Sequence, residues 1–280
     1  MTSTILVTGA TGNVGSVVVD LLQARDVHIR TLPPEPRPLD PASLVAAADG
    51  VDAVFLSCGN VPEQVDFECT VIDQAARAGV RRIVKLSAQG ADPAASPAYW
   101  RWHAQIEQHL RTSGVPSVVL QPSFLMSNLF AATEHVRTQG MLFAPAGDAA
   151  ITMVHPADVA AVAAVALTTD GHDGETHLVT GPEAIGYARV AADLSVATGR
   201  PVGYAAIPPE AARESLLAAG LPDFVVAQLL EVFAALRRGE QSVTADTVQR
   251  LTGWAPQTFA TWAATYADAF RGADSVTLAR

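Results

Sequence analysis

Lysine is almost absent from the 280-residue sequence, in which Lys85 is the only one. Lysine and arginine together number 18 against 28 aspartates and glutamates, so the formal net charge is −10, and the basic residues form no cluster. Proteins that bind nucleic acid or an anionic membrane surface use grouped basic side chains. The sequence therefore predicts neither kind of partner and favours a small-molecule substrate.

Cysteine and long apolar segments are also scarce. With only Cys58 and Cys69 present, the sequence predicts neither a disulfide framework nor a metal site. The longest apolar run, residues 159–167, is too short to cross a bilayer. The first residues lack the basic leader and cleavage site of an export signal, so we expect a cytoplasmic protein.

Short apolar runs alternate with helical patterns along the first part of the chain. Because these runs are continuously apolar, they are typical of parallel strands that are covered on both faces. The sequence therefore predicts a doubly wound α/β fold with a parallel sheet. The predicted strands occupy residues 4–8, 27–32, 52–58, 82–88 and 117–122, and the predicted helices residues 14–24, 41–49 and 63–79.

A change of pattern divides the chain into two predicted domains. Residues 1–182 are expected to form a Rossmann-like, dinucleotide-binding domain, and residues 183–280 a smaller, mainly helical lobe that binds or covers the substrate. Glycine and proline separate the elements of this lobe. Its predicted helices occupy residues 185–199, 208–220, 222–239 and 256–270, with a short strand at 201–207.

Three glycines, Gly9, Gly12 and Gly15, follow the first predicted strand. Glycine has no Cβ, so the chain can turn sharply from strand to helix and phosphate oxygens can approach the backbone closely. A helix beginning near Asn13 would direct its free N–H groups and its positive dipole end at a pyrophosphate. The loop thus predicts a dinucleotide site, and the alternative is a structural turn that no longer binds one.

Five segments of the chain match a known family: ILVTGATGNVGSVVVDLL, RRIVKLSAQGAD, HAQIEQHLRTSGVPSVVLQPSFLMSNL, HPADVAAVAAVAL and LVTGPEAIGYARVAADLSVATGRPVGY. Through them the sequence resembles the NmrA-like branch of the atypical short-chain dehydrogenases/reductases. The resemblance runs from residue 4 to about 270 and implies NADPH or NADH as the cofactor. The cofactor-binding residues that it implies are Gly9, Thr11, Gly12, Asn13, Val14, Gly15, Arg37, Ser57 and Pro122.

The segment after the second predicted strand is shorter than in a Rossmann unit, because residues 33–39 replace a helix and most of a strand. The arginine that commonly holds the 2′-phosphate of NADP in this family falls on Pro34, which offers neither charge nor N–H. The aspartate that contacts the adenine falls on Arg37. Glu35 could bond a ribose 2′-hydroxyl, whereas Arg30 or Arg37 could pair with a 2′-phosphate. The choice between NADH and NADPH therefore stays open, as does the presence of an adenosine pocket.

The acid–base group departs from the Tyr-x-x-x-Lys pattern of short-chain reductases. Ser87 ends a predicted strand as in those enzymes, and Tyr99 and His103 occupy the tyrosine–lysine register, with Glu107 four residues on. A neutral imidazole activates a phenol less than an ammonium group does. We expect His103 to donate the proton, with Glu107 fixing its tautomer and raising its pKa. The predicted catalytic residues are His103, Tyr99 and Ser87, and the alternative for His103 is a buried structural histidine.

The resemblance places the substrate pocket just after Pro122. Its candidate residues are Phe124, Met126 and Asn128, although an aromatic and methionine stripe is also typical of a plain core.

Three functions remain open from the sequence. The resemblance favours an NAD(P)H-dependent oxidoreductase that reduces a quinone or another small conjugated carbonyl. The shortened segment 33–39 favours a redox-neutral enzyme, such as a cyclase, isomerase or dehydratase. The third function is a non-catalytic regulator that senses NAD(P). The expected partners are a small-molecule substrate and, in a homodimer, a second copy of the chain.

Overall fold

The computed structural model describes residues 3–32 and 41–271, and these form two compact units. The first unit comprises the described residues of Met1–Pro122, Pro156–Val179 and Ala245–Ala255. The second unit comprises those of Ser123–His155, Thr180–Thr244 and Pro256–Arg280. The units interleave along the chain, whereas the sequence predicted two consecutive domains with a boundary at residue 182.

The described strands divide between the two units. They are β1 Ser3–Val7, β2 Val27–Thr31, β3 Ala53–Leu56, β4 Arg82–Leu86, β5 Ser117–Pro122, β6 Met141–Ala144, β7 Thr176–Val179 and β8 Gly203–Ala206. Six of them form a parallel sheet in the first unit, in the order β2-β1-β3-β4-β5-β7. Within residues 3–32 and 41–271 no strand lies beyond β2, so β2 is the edge strand of the described sheet.

The helices alternate with the strands as the sequence predicted. They are α1 Gly15–Gln23, α2 Pro41–Ala48, α3 Gln64–Ala78, α4 Ala98–Thr112, α5 Thr133–Gln139, α6 Pro156–Thr168, α7 Tyr187–Thr198, α8 Pro209–Ala218, α9 Asp223–Arg237, α10 Thr247–Thr252, α11 Phe259–Thr265 and α12 Ala267–Phe270, with a 3₁₀ helix at Met126–Ala132. None of the described helices is both long enough and apolar enough to span a membrane.

Both faces of the six-stranded sheet are covered by helices. Leu6, Val54 and Ile83 pack into one core with α2, α3 and α4. Side chains alternate along a strand, so the neighbouring Ile5 and Val84, both fully buried, face the opposite side. There α1, α6 and α10 pack together. The doubly wound α/β class is confirmed, and the continuous apolar character of the strands follows from this double covering.

The second unit has a small sheet and a core rich in aromatic residues. β6 pairs with β8 in parallel, and the buried core includes Trp262, Phe270 and Leu194. The helices predicted for this part of the chain correspond to α7, α8 and α9, and the last one is split into α11 and α12. β8 was predicted, whereas β6 was not, because its four residues lie in no clear alternating pattern.

Candidate functional site

The glycine loop closes the turn between β1 and α1 in a way that only glycine permits at two positions. Gly9 has a φ of +61°, and a Cβ there would lie 2.9 Å from the carbonyl oxygen of Ser57. A Cβ on Gly15 would lie 2.1 Å from the carbonyl oxygen of Gly9. The backbone folds so tightly here that both glycines are required by the turn itself.

Gly12 is different, because packing alone does not require a glycine there. A Cβ on Gly12 would meet only the carbonyl oxygen of Gly9, at 3.3 Å. Thr11, Gly12 and Asn13 are exposed, and α1 begins two residues later, at Gly15 rather than near Asn13. The first N–H groups of a helix have no partner within it and carry a partial positive charge. The loop therefore offers a cradle that fits a dinucleotide pyrophosphate.

Thr8, directly before the glycine loop, is hydrogen-bonded to Ser57, the residue that follows β3. The hydroxyl of Thr8 donates to the carbonyl oxygen of Ser57 at 2.7 Å and accepts from the N–H of Ser57 at 2.8 Å. Both residues are buried, and they join the carboxyl ends of β1 and β3. Sequence reasoning missed Thr8, although it stands directly before the first glycine. Pro122 ends β5, where its carbonyl oxygen accepts from the N–H of Gln89 at 2.8 Å.

The residues considered for cofactor preference are only partly described. Pro34, Glu35 and Arg37 lie outside the described residues. Arg30 lies on β2, and its Nη1 donates to the carbonyl oxygens of Ala47 at 2.8 Å and Asp49 at 2.7 Å. These oxygens belong to the end of α2 and the residue just beyond it, so the guanidinium of Arg30 is held at this helix terminus.

The three predicted catalytic residues are all buried in the first unit. Ser87 directly follows β4, and Tyr99 and His103 lie one turn apart on α4. Ser87 Oγ donates to Glu107 Oε1, and Gln121 Nε2 donates to the same oxygen at 3.0 Å. Glu107 therefore binds side chains at the ends of β4 and β5. The expectation that it orients His103 is wrong.

His103 is instead held by the only lysine of the chain. Lys85 Nζ lies 3.3 Å from His103 Nδ1. An ammonium group can only donate, so Nδ1 accepts and the ring proton is on Nε2. Burial, together with the positive charge of Lys85, keeps the pKa of His103 well below its ordinary value. The expected rise in pKa is therefore also wrong, and His103 is a neutral imidazole at physiological pH.

Lys85 on β4 and Glu68 on α3 form a fully buried ion pair. Lys85 Nζ lies 2.8 Å from Glu68 Oε2, and Gln64 Nε2 donates to Glu68 Oε1 at 3.2 Å. Burial raises the pKa of the Glu68 carboxyl, while the charge of Lys85 opposes that rise. We refer to Gln64, Glu68, Lys85 and His103 as the buried network. The signal that could have revealed it is the single lysine inside the apolar run RIVKL.

Tyr99 begins α4 as a buried phenol. Burial raises its pKa, and its ring lies 5.4 Å from that of Trp102, centroid to centroid. A phenol with a raised pKa keeps its proton, so Tyr99 can act as a hydrogen-bond donor rather than as a base.

The predicted substrate residues belong to the second unit and differ in their environments. The segment around Phe124 runs beside Val154. The N–H of Val154 donates to the carbonyl oxygen of Phe124 at 3.0 Å, and the N–H of Met126 donates to the carbonyl oxygen of Val154 at 2.9 Å. Met126 is part of the hydrophobic core of this unit. Phe124 is half-buried against that core, and Asn128 is exposed. Of the three side chains, those of Phe124 and Asn128 remain accessible to a ligand.

Known proteins resemble this chain over its whole length. The NAD(P)H-binding family is matched over residues 35–170. The chain is 36% identical to the NAD(P)H azoreductase of Xenophilus azovorans, over 96% of this chain and 100% of that protein. It is 40% identical to the (4-alkanoyl-5-oxo-2,5-dihydrofuran-3-yl)methyl phosphate reductase of Streptomyces griseus, over 95% and 99% of the two proteins.

A solved structure shows the same architecture. The NADPH-dependent quinone oxidoreductase of Escherichia coli, complexed with NADPH, superposes with a TM-score of 0.82 at 25% sequence identity. The alignment covers 93% of this chain and 99% of that one. With the glycine cradle at the end of β1, these findings establish that the chain belongs to the NmrA-like, NAD(P)H-binding family of atypical short-chain dehydrogenases/reductases.

Proposed function

We propose that the protein is an NAD(P)H-dependent reductase that transfers two electrons to a quinone or another small conjugated acceptor. The observation that carries this proposal is the pyrophosphate cradle at Gly12, in a chain that aligns end to end with two reductases. One hydride and one proton convert a quinone into a hydroquinone, and bound NAD(P)H would supply the hydride and become NAD(P)⁺. The names of an azoreductase and a quinone oxidoreductase among the relatives support conjugated acceptors.

The chain's own residues bind and orient the reactants. The N–H groups at the start of α1 and the loop residues Thr11, Gly12 and Asn13 would hold the pyrophosphate. When bound, the nicotinamide supplies the hydride. Ser57 and Pro122, at the carboxyl ends of β3 and β5, lie at the sheet edge where ligands of open α/β sheets bind.

The buried polar side chains on and beside α4 supply the proton chemistry of this proposal. Tyr99 keeps its phenolic proton and can pass it to the acceptor oxygen, the proton being replaced from water. His103 is neutral and carries its proton on Nε2, so it polarises the acceptor by a hydrogen bond and does not act as a general acid. Ser87, held by Glu107, completes the group. Phe124 and Asn128 are the proposed substrate contacts.

The test combines nucleotide binding with turnover. Calorimetric titration with NADPH, NADH and their oxidised forms is followed by oxidation of the reduced nucleotides with a benzoquinone and an azo dye as acceptors. We expect micromolar binding and turnover in the unchanged protein, and loss of both in Gly12→Asp, because a carboxylate in the cradle repels the pyrophosphate.

Gly186→Asp is the matched control. Gly186 also precedes a helix, α7, its φ is −89°, and a Cβ there meets only ordinary contacts. Aspartate is favourable at such a position, so this variant should bind and react normally. Absence of binding to all four nucleotides would overturn the proposal. Binding without turnover of any acceptor would leave the sensing function in its place.

The location and oligomeric state form part of the same proposal. We infer that the protein works in the cytoplasm as a homodimer. The absence of a disulfide between Cys58 and Cys69 suits a reducing compartment. Light scattering coupled to gel filtration tests the dimer, and a monomeric mass at micromolar concentration would contradict it.

A further inference from the structure

Two histidines and a glutamate meet at the beginning of β7. His172 and Glu175 lie in the turn that precedes the strand, and His177 is its second residue. One ligand atom from each of the three lies within 4.8 Å of the others. The turn brings them together, since the N–H of Glu175 donates to the carbonyl oxygen of His172 at 3.1 Å and Gly174 takes a φ of +85°.

The carboxylate of Glu175 lies between the two imidazole rings. Its Oε2 is 2.9 Å from His177 Nε2 and 4.0 Å from His172 Nδ1. The neighbouring Asp173 does not belong to this group, because its carboxylate is engaged by Arg82. Three potential ligand atoms therefore converge, two of them nitrogen and one oxygen.

Hydrogen bonding fixes the tautomer of His172. The hydroxyl of Thr169 donates to the carbonyl oxygen of Val165 at 2.8 Å and lies 2.9 Å from His172 Nε2. Having given its proton to Val165, the hydroxyl can only accept from the ring, so Nε2 carries the proton. His172 Nδ1 is then an unprotonated nitrogen on the side of Glu175, as a metal ligand requires, and the Thr169 contact orients the ring.

His177 presents a buried nitrogen without a hydrogen bond. The residue is 5% exposed, and among the described residues its Nε2 has no hydrogen-bond partner. Glu175 Oε2 lies 2.9 Å from this nitrogen, but the contact does not have the geometry of a hydrogen bond. A buried polar atom left unsatisfied in this way needs a partner. A cation shared between Nε2 and the carboxylate would provide one.

We propose that His172, Glu175 and His177 bind a zinc ion. Two imidazoles and a carboxylate are a donor set that suits Zn²⁺, and three protein ligands leave a fourth tetrahedral position for water. The side chain of Glu175 is half-exposed, so it can move slightly. This movement would bring its carboxylate and the two imidazole nitrogens to similar distances from the ion. In the sequence, the spacing His-x-x-Glu-x-His at 172–177 is the signal for this proposed site, which the scarcity of cysteine does not exclude.

The zinc site lies at the amino-terminal end of the parallel strands, and the proposed reductase site lies at their carboxyl-terminal end. The strands are parallel, and the zinc ligands precede and begin β7, whereas Ser87 and the glycine loop follow the carboxyl ends of β4 and β1. The inference therefore does not depend on the proposed function. Metal binding would fasten the turn to the strand and stabilise the first unit.

Arg250 opposes metal binding in a way that can be tested. Its Nη2 lies 3.4 Å from His177 Nδ1, and a guanidinium can only donate. Zinc on Nε2 needs the ring proton on Nδ1, so Arg250 favours the metal-free tautomer and adds a repelling positive charge. Its side chain is half-exposed, and Asp246 lies 3.8 Å away as an alternative partner. Arg250→Met is therefore expected to tighten zinc binding severalfold.

The experiment uses full-length protein without an affinity tag, dialysed against a chelator and then titrated with ZnCl₂ in a calorimeter. We expect one zinc per chain with a Kd below about 10 μM. His172→Gln and Glu175→Gln should each weaken binding at least about tenfold. His109→Gln is the control, because His109 is an exposed histidine paired with Asp73 outside the cluster. MgCl₂ should give no binding, since the site lacks the oxygen ligands that Mg²⁺ prefers.

Cobalt provides a second readout that does not depend on heats. Co²⁺ in a four-coordinate nitrogen and oxygen site should give a visible absorption band that both ligand variants lose. Circular dichroism checks that each variant is folded. If His172→Gln is unstable, Glu175→Gln still tests the site, because Glu175 is exposed and its substitution should not disturb the core. The proposal is overturned if the unchanged protein binds no zinc, or if both ligand variants bind it as the control does.

Discussion

Lys85 connects the two halves of the buried network from the strand beneath α3 and α4. Its Nζ lies 2.8 Å from Glu68 Oε2 and 3.3 Å from His103 Nδ1. Contacts within a helix follow its periodicity, whereas contacts between a strand and a helix depend on how the two pack. The spacing along α4 therefore points to Glu107 as the partner of His103, although the contact comes from Lys85.

Lys85→Met is expected to destabilise the protein strongly. The substitution leaves the fully buried carboxylate of Glu68 without its counter-charge, which typically costs about 3–5 kcal/mol. Urea unfolding followed by circular dichroism measures the loss.

Two further variants separate charge pairing from packing. Lys85→Met combined with Glu68→Leu removes both charges and should recover most of the stability. Arg81→Met breaks the exposed pair with Asp52 and should cost less than about 1 kcal/mol. An equal, small loss in the single Lys85 variant and in Arg81→Met would show that the buried pair contributes little.

The neutral state of His103 predicts a stability that falls with acid. Its pKa is lowered in the folded protein, so below the ordinary pKa of 6.5 the unfolded chain binds a proton that the folded chain does not. The folded protein is therefore most stable above that pH and loses stability progressively as the pH falls below it. Urea unfolding between about pH 8 and pH 5 measures the slope. His103→Gln should show a shallower slope, and an unchanged slope would contradict the assignment.

At the scale of elements, the position of α2 relative to β2 is stabilised by hydrogen bonds from one side chain to the helix backbone. Arg30 reaches from β2 to the carbonyl oxygens at the end of α2, where a positive charge is favourable. The sequence predicted both elements to within two residues. The sequence does not indicate that Arg30 contacts the end of α2, because the unusual segment 33–39 between β2 and α2 gives no signal for how the strand and the helix pack.

Arg30→Gln separates a structural role from nucleotide selection. We expect the ratio of NADPH to NADH affinity to stay unchanged, because the guanidinium is engaged by carbonyl oxygens. Stability should fall by about 1 kcal/mol through loss of the contacts at the helix end. Calorimetry with both nucleotides and urea unfolding give the two values. A selective loss of NADPH binding would instead place Arg30 at the 2′-phosphate, and Arg37→Gln tests the other candidate.

Gly15→Ala and Gly12→Ala should differ sharply despite being the same change in one loop. A methyl group on Gly15 would collide with the carbonyl oxygen of Gly9, whereas on Gly12 it meets that oxygen at 3.3 Å. We expect Gly15→Ala to lower stability by at least about 2 kcal/mol, and Gly12→Ala to keep stability but weaken nucleotide binding. Thermal unfolding and calorimetry measure the two effects. Equal stability of the two variants would contradict the tight turn.

At the scale of the molecule, the predicted doubly wound α/β class is confirmed, whereas the predicted boundary at residue 182 differs from the two units, which interleave along the chain. Five of the six strands of the parallel sheet were predicted, because apolar runs bounded by turns are local signals. β7 and β6 were not predicted, and their length of four residues does not explain this, because β3 and β8 are equally short and were predicted. The interleaving of the two units was missed because the chain enters the second unit at Ser123 without any change in composition.

Nucleotide binding should raise the stability of the folded protein as a whole. A ligand that binds only the native state at about 100 times its Kd adds about 2.7 kcal/mol, or roughly 5 °C in Tm for a chain of this size. Thermal unfolding with and without NADPH measures the shift. It should be present in Gly186→Asp and absent in Gly12→Asp, and a shift that persists in Gly12→Asp would place the nucleotide elsewhere.

The burial of Lys85 has a practical consequence for chemical labelling. Apart from the amino terminus, the folded molecule presents no primary amine to an acylating reagent, because the only lysine side chain is completely buried beneath α3 and α4. Acylation at this position requires the strand and its covering helices to separate. The rate at which an amine reagent modifies Lys85, followed by mass spectrometry, is thus a direct measure of how often the centre of the first unit opens.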